Sequence, residues 1–218
     1  MATRKDGCDT CKRLLDVAAQ VFAEKGYRAT TIAHICRVAK ANVAAVNYHF
    51  GSKDGLYAEV WRRAFERSLE EYPLDGGLPK DASAEQKLKA LIQSHLGRVL
   101  DQGRLGEGGQ ILLMELANPT DAIREVLVEA LKPVVKYTHS VIQELLGPRA
   151  TQVQVHFCAM SVVHQCLAFS HRRDKQGSHA FLKKVYEMDG CVDRLTEHIT
   201  DFSLAGIAGV RAKIAQIK

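Results

Sequence analysis

Asn42, Val43, Ala44 and Asn47 fall at spacings that bring them to the outer side of one short helix, and their side chains are of the kinds that touch base edges in duplex DNA. Asparagine offers a paired donor and acceptor that fits adenine, and small apolar groups meet thymine methyls. Around them lie groups suited to phosphate oxygens: Thr30 or Thr31 at one helix start, Tyr48 and His49 at the end of the reading segment, and Ser52 and Lys53 at the next helix start. Arg28 and Lys40 add positive charge on either side. Backbone contacts of this type give affinity, and base contacts give choice. Double-stranded DNA is therefore the partner that these residues point to.

Other residues carry weaker chemistry. A single Cys8-x-x-Cys11 has no second pair or His-x-x-His at finger spacing to complete a zinc site, so no metal is expected there. His156 and His164 share a helical face with Met160, but eight residues of helix separate them by ~12 Å, too far to hold one ion. They suit a polar lining of an apolar pocket or a subunit seam. Met114, Tyr137, Phe157, Met160, His164 and Phe169 are candidates to line an effector cavity, each equally readable as plain core. No G-x-S-x-G, P-loop, H-E-x-x-H or dinucleotide fingerprint is present, and nothing calls for a cofactor, so an enzyme is not expected.

The elements that must position these groups are helices. Apolar residues recur at helical spacing almost throughout, and hairpin signals flanked by β-branched runs are missing, so the fold class is all-α. Leu14, Leu15, Ala18, Ala19 and Phe22 line a first helix that stops at Lys25-Gly26. Ile32, Ile35, Cys36 and Ala39 form the inner face of a short second helix, and Asn42 caps a third over Val43 to His49, ending at Phe50-Gly51. A fourth follows from Lys53 to Tyr72, capped by Ser52. After the Pro- and Gly-rich stretch 73–83, helices are expected over 84–102, 110–117, 121–147 with a break or kink at Pro133, 151–172 and 178–207. The 151–172 stretch is apolar nearly all round and needs cover on more than one side, from the rest of its own domain and from a second subunit, with the last long helix expected to share the seam.

Charge divides the chain unevenly. Residues 1–53 carry nine Lys and Arg against four Asp and Glu, whereas residues 54–218 carry 21 of each, so the net charge of +5 sits in the first quarter, as suits a face for a polyanion. No apolar run is long enough for a membrane span or a signal peptide, which makes a cytoplasmic protein the default and reduced thiols the state of its six cysteines. Two short helices joined by a tight turn and braced by a longer helix on each side outline a helix-turn-helix over residues 1–55, with a helical regulatory and dimerising domain over 56–218. On pattern alone, a helical small-molecule or metal-sensing protein without a DNA role stays open beside this reading.

The stretch Gly26-Tyr27-x-x-Thr30-Thr31-Ile32-x-x-Ile35, followed by Asn47-Tyr48-His49-Phe50-x-Ser52-Lys53-x-x-Leu56, resembles the N-terminal signature of the TetR family of transcriptional regulators, densely over residues 10–65. The resemblance implies a three-helix DNA-binding domain, a connecting fourth helix, a C-terminal ligand-binding and dimerising domain, and repression of a palindromic operator relieved by a small effector of unstated identity. It places Tyr48, His49 and Lys53 on the DNA backbone and Val43, Ala44 and Asn47 on the reading helix. One departure is Lys40, which stands in the turn where the family often has glycine. Farther on, Leu131-Lys132-Pro133, Leu145-Leu146-Gly147 and Ser161-Val162-Val163-x-Gln165-Cys166 are similar to members with a CecR-type C-terminal domain.

Overall fold

A computed structural model describes residues 4–100, 111, 114–115, 120–169 and 189–216, with side chains from residue 9 onward. Among the described residues every regular element is a helix: α1 (Arg4–Ala29), α2 (Ile32–Ala39), α3 (Val43–Phe50), α4 (Lys53–Glu71), α5 (Ala84–Leu100), α6 (Arg124–Leu146), α7 (Gln152–Leu167) and α8 (Cys191–Gln216). They form two compact units. The first holds the described residues of Met1–Ser68 and Gln102–Ala130, and the second those of Leu69–Asp101 and Leu131–Lys218. The division expected after residue 55 thus falls inside the first unit, because the first four turns of α4 are part of that unit's core, and α4 itself carries the chain into the second.

In the first unit, α1, α2 and α3 pack against one another. Their shared core is Leu14, Ala18 and Phe22 from α1, Ile35 and Ala39 from α2, and Val46 from α3. Leu56, Tyr57, Val60, Trp61 and Phe65 add the buried face of α4. The rings of Phe22 and Tyr57 lie 4.6 Å apart between centroids and those of Tyr27 and Tyr57 4.9 Å, so an aromatic cluster joins α1 to α4. A buried hydrogen bond from the Tyr57 hydroxyl to Glu115 Oε1 (2.9 Å) ties α4 to the 102–130 segment, and Thr120 N donates to the other carboxylate oxygen at 2.8 Å. Burial, then the hydrogen bond to Glu115, pushes the Tyr57 phenol well above its usual range, so it stays a donor.

The second unit is built on α5, α7 and α8, which pack on one another around Leu88, Ile92, Leu96, Val141, Ile142, Val155, Val162 and Ile199. Gly97 in α5 lets the Tyr72 ring lie against the helix, where a Cβ would overlap ring carbons, and Ser94 Oγ donates to the Tyr72 carbonyl at 2.7 Å. A capping box starts α7: Thr151 accepts from Gln154 N (3.3 Å), and the Gln154 side chain accepts from Thr151 N (2.8 Å).

Several helix boundaries differ from expectation, beginning with α1, which runs to Ala29 past a break at Gly26 (φ 73°) rather than stopping at Lys25-Gly26. The break or kink at Pro133 is replaced by a continuous α6, since the proline lies on an exposed face where water takes over the bond its missing N–H forfeits. At the other end, α8 runs nine residues beyond Ile207 to Gln216, passing Gly206 and Gly209, because Ile207 and Ile214 are buried on the same stripe and offset a glycine penalty of about 1 kcal/mol each. The helix expected over 110–117 falls largely outside the described residues, as does the 178–188 part of the one expected over 178–207, whose described part begins at Cys191 after a turn at 189–190.

Candidate nucleic-acid interface

The pair α2–α3 is joined by a turn of three residues, Lys40, Ala41 and Asn42. Each end of the pair is fixed locally. Thr31 is the N-cap of α2 and accepts from His34 N at 3.2 Å; Asn42 is the N-cap of α3 and accepts from Ala45 N at 2.8 Å. Lys40 takes the left-handed conformation (φ 50°, ψ 47°), and Ala41 N then returns to the Cys36 carbonyl at 2.9 Å, closing α2 as a glycine would. From α1, the Arg13 Nε donates to the Ala39 carbonyl at 2.8 Å and so clamps the last turn of α2.

With Val46 buried, α3 turns its other faces outward. Asn42, Val43, Ala44 and Asn47 are all exposed, and Tyr48 is 85% exposed, an extreme value for an aromatic side chain with no use for that surface inside the chain. His49 is half-buried, its ring 4.9 Å edge-on from that of Tyr48. Gly51, with φ 74°, ends α3 and donates its N–H to the Asn47 carbonyl; Ser52 Oγ then accepts from Gly55 N at 3.1 Å and starts α4. Gly55 has to be a glycine, since a Cβ there would collide with the Phe50 carbonyl oxygen.

Lys53 stands in the first turn of α4 with its ammonium 4.1 Å from the centroid of Tyr27, a cation–π contact that holds the charge at a helix N-terminus. The Tyr27 hydroxyl donates to Asp54. Burial first, and Asp54 second, push the Tyr27 phenol up to about 12, so the ring stays neutral under the lysine.

Of the residues expected to meet DNA, Arg28, Thr31, Lys40, Asn42, Val43, Ala44, Asn47 and Tyr48 lie on the surface of this unit, and His49 and Lys53 are partly exposed beside them. Thr30 is a correction. It is 1% exposed and its hydroxyl donates to the Gly26 carbonyl at 2.8 Å, which closes the end of α1 and leaves nothing for a phosphate. A cluster that sequence reasoning missed lies on α1 and α2: Arg37 Nη2 stands 2.8 Å from His34 Nδ1, and Lys25 Nζ 3.3 Å from His34 Nε2. The guanidinium and the ammonium carry more N–H groups than the ring has lone pairs, so these cations keep donors to spare. The Arg37–His34 spacing of three was readable; the approach of Lys25 needed the fold.

Of the six effector-cavity candidates, one lies in the first unit and five in the second. Met114 lies in the first unit, where its sulfur faces Gly26. Tyr137 and Phe169 pack on the core of the second unit. Phe157 (65%), Met160 and His164 are exposed, and His164 Nδ1 donates to the Met160 carbonyl at 2.9 Å. Among the described residues no three metal-ligand side chains gather, and no helix is long and apolar enough to cross a membrane.

A capped helix pair with a three-residue turn, a polar outward-facing second helix and long helices on both sides defines a helix-turn-helix DNA-binding protein. The comparisons place it more narrowly. The family model for bacterial regulatory proteins of the tetR family matches residues 14–60, and that for the C-terminal domain of the HTH-type transcriptional dual regulator CecR matches residues 84–207, more than half of the chain. The chain belongs to the TetR family of transcriptional regulators, in the group with a CecR-type C-terminal domain, and this is a family of regulators, not enzymes. It is 26% identical to CecR of Shigella flexneri over 166 residues, 72% of this chain and 74% of that protein. It is 30% identical to AcrR of the same organism over 59 residues, which span only 27% of each chain. The fold matches FadR of Bacillus subtilis, a structure in complex with stearoyl-CoA, with a TM-score of 0.66 and 16% identity over 89% of this chain and 98% of that one.

Proposed function

We propose that the protein is a cytoplasmic repressor that binds a near-palindromic operator as a homodimer and leaves it when a small molecule binds the second unit. The observation that carries the DNA contact is the outward face of α3, where Asn42, Val43, Ala44, Asn47 and Tyr48 are exposed together beside Lys53. Val43, Ala44 and Asn47 read base edges; Tyr48, His49, Lys53, Thr31, Lys40 and Arg28 hold phosphates, and Lys25 and Arg37 join them.

The dimer reading is supported by α7 and α8. Val153, Phe157 and Met160 on α7 and Phe202 on α8 are exposed, Phe202 by 64%, as a face suited to burial against its own copy. His139 and His156 lie beside it, with ring nitrogens 3.4 Å apart. Two such heads must stand about 34 Å apart to enter successive major grooves. A ligand that prefers a conformation with another spacing drives release by its differential affinity for the two, and α4, which belongs to both units, is the element that transmits it. Stearoyl-CoA in the related FadR structure supports a small-molecule effector of this fold.

The test is capture of genomic fragments by the purified protein, followed by titration of the recovered sequence at several salt concentrations. A shared inverted repeat and a steep fall of affinity with salt are expected. Capture without sequence preference would refute the operator reading.

A further inference from the structure

The second unit holds a cation that nothing described in the chain neutralises. Arg98, on α5, is 8% exposed and lies near the buried thiol of Cys166 on α7. Its Nε donates to the Ser94 carbonyl at 3.3 Å and one Nη2 hydrogen to His95 Nδ1 at 2.7 Å. The other three of its five N–H groups have no acceptor, and no carboxylate is paired with it, among the described residues. Burial lowers the Arg98 pKa only to about 10, so the guanidinium stays charged.

His95 completes the pattern. Guanidinium only donates, so His95 Nδ1 must accept and the proton sits on Nε2, a donor that is buried and has no partner. Burial and then the charge of Arg98 hold this imidazole neutral, with its pKa down at about 3. Cys166 is no counter-ion either: burial pushes its thiol up to about 12 in spite of the nearby arginine. Among the described residues, α5 thus holds a buried unpartnered donor, His95 Nε2, beside one positive charge with no carboxylate to pair with it. An isolated charge kept in an apolar core costs stability unless it is paired.

We propose that Arg98 and His95 form the head-group site of an amphiphilic monocarboxylate bound in the core of the second unit. A carboxylate has two oxygens for a forked guanidinium and an imidazole N–H, and a single negative charge matches the single positive one. A phosphate dianion would leave excess charge in the same apolar surroundings. The apolar remainder of the ligand suits a core of leucine, isoleucine and valine. This names the class of effector for the regulator reading above and rests on that reading only for its consequence at DNA.

The experiment uses the full-length protein, a series of straight-chain and aromatic carboxylates from octanoate to hexadecanoate below micelle concentrations, their methyl esters, dodecyl phosphate and dodecyltrimethylammonium. Binding is read by calorimetry and by thermal shift. A carboxylate should bind, its methyl ester should bind roughly 10- to 100-fold more weakly, and Arg98→Met should lose a similar factor. Without ligand, Arg98→Met should unfold at the same temperature as the unaltered protein or higher, because an unpaired charge is gone. Arg98→Lys, which keeps the charge but not the fork, should bind more weakly than the unaltered protein and more tightly than Arg98→Met. The proposal is overturned if no carboxylate binds, if the ester, phosphate or ammonium probe binds better, if Arg98→Met binds as well as the unaltered protein, or if it is less stable or unfolded without ligand. Operator binding by ligand-free Arg98→Met is the separate readout: if the unaltered protein also ignores DNA, the regulator reading fails and the head-group result stands by itself.

Discussion

Helices α3 and α7 both turn side chains out of their units, and the two surfaces are of opposite kinds. On α3 the exposed residues are Asn42, Asn47 and Tyr48 with small apolar groups between, while α7 exposes Val153, Phe157 and Met160. The first face keeps polar groups ready for a partner rich in acceptors; on the second, large apolar side chains stand exposed among Gln152, His156, Ser161 and His164. A short helix with one buried residue can be spared for reading, whereas the apolar side chains left exposed on α7 support the second copy proposed above.

The comparison breaks most readily at α7. Phe157→Glu should convert a dimer to a monomer, weakening self-association more than about 100-fold because the symmetric seam loses the residue twice, as light scattering behind size exclusion will read. Operator binding should fall with it while the helical circular dichroism stays. A dimer that survives would assign the apolar face of α7 to some other use. On α3, Asn47→Ala should cost about 1–3 kcal/mol in each half-site and relax choice at one base position, leaving binding to unrelated DNA nearly unchanged; equal loss on all sequences would move Asn47 from base to backbone. Lys53→Ala should weaken binding to all sequences alike and lower the slope of log affinity against log salt by about one per half-site, a difference visible in a salt titration.

A further effect concerns pH and the second unit. The His95 pKa falls from 6.5 unfolded to about 3 folded, so the unfolded chain binds the extra proton between those values. Stability should therefore be full above pH 6.5 and decline as pH drops, by at most about 1.4 kcal/mol per pH unit. The decline should be shallower in His95→Phe, followed by chemical denaturation; an identical profile would mean the imidazole has an aqueous route that the fold does not suggest.

The head was legible because its signals are local. Thr31, Asn42, Gly51 and Ser52 mark helix ends by their own side chains or backbone freedom, and the spacing of Ile35, Ala39 and Val46 sets which faces are hidden. Thr30 and Thr31 could not be ranked from sequence, since both sit where a cap is needed and only the break at Gly26 decides which hydroxyl turns inward. The second unit hid its chemistry for a different reason. Arg98 and His95 read as an ordinary polar stretch of α5, and what makes them unusual is burial, which residue type and spacing alone do not show. The scattering of Met114, Tyr137 and Phe157 has the same origin: aromatic and sulfur side chains fill cores, line seams and bind ligands alike, and residue type alone does not separate these roles.

Lys40 carries a backbone cost beside the phosphate contact proposed for it. A side chain at φ 50° is held in a conformation that glycine adopts freely, at a cost on the order of 1 kcal/mol. Lys40→Gly should accordingly give a head that melts later and holds DNA less firmly, so selection for sturdiness and selection for occupancy pull this one position in opposite directions. A variant library sorted separately for each property would divide there.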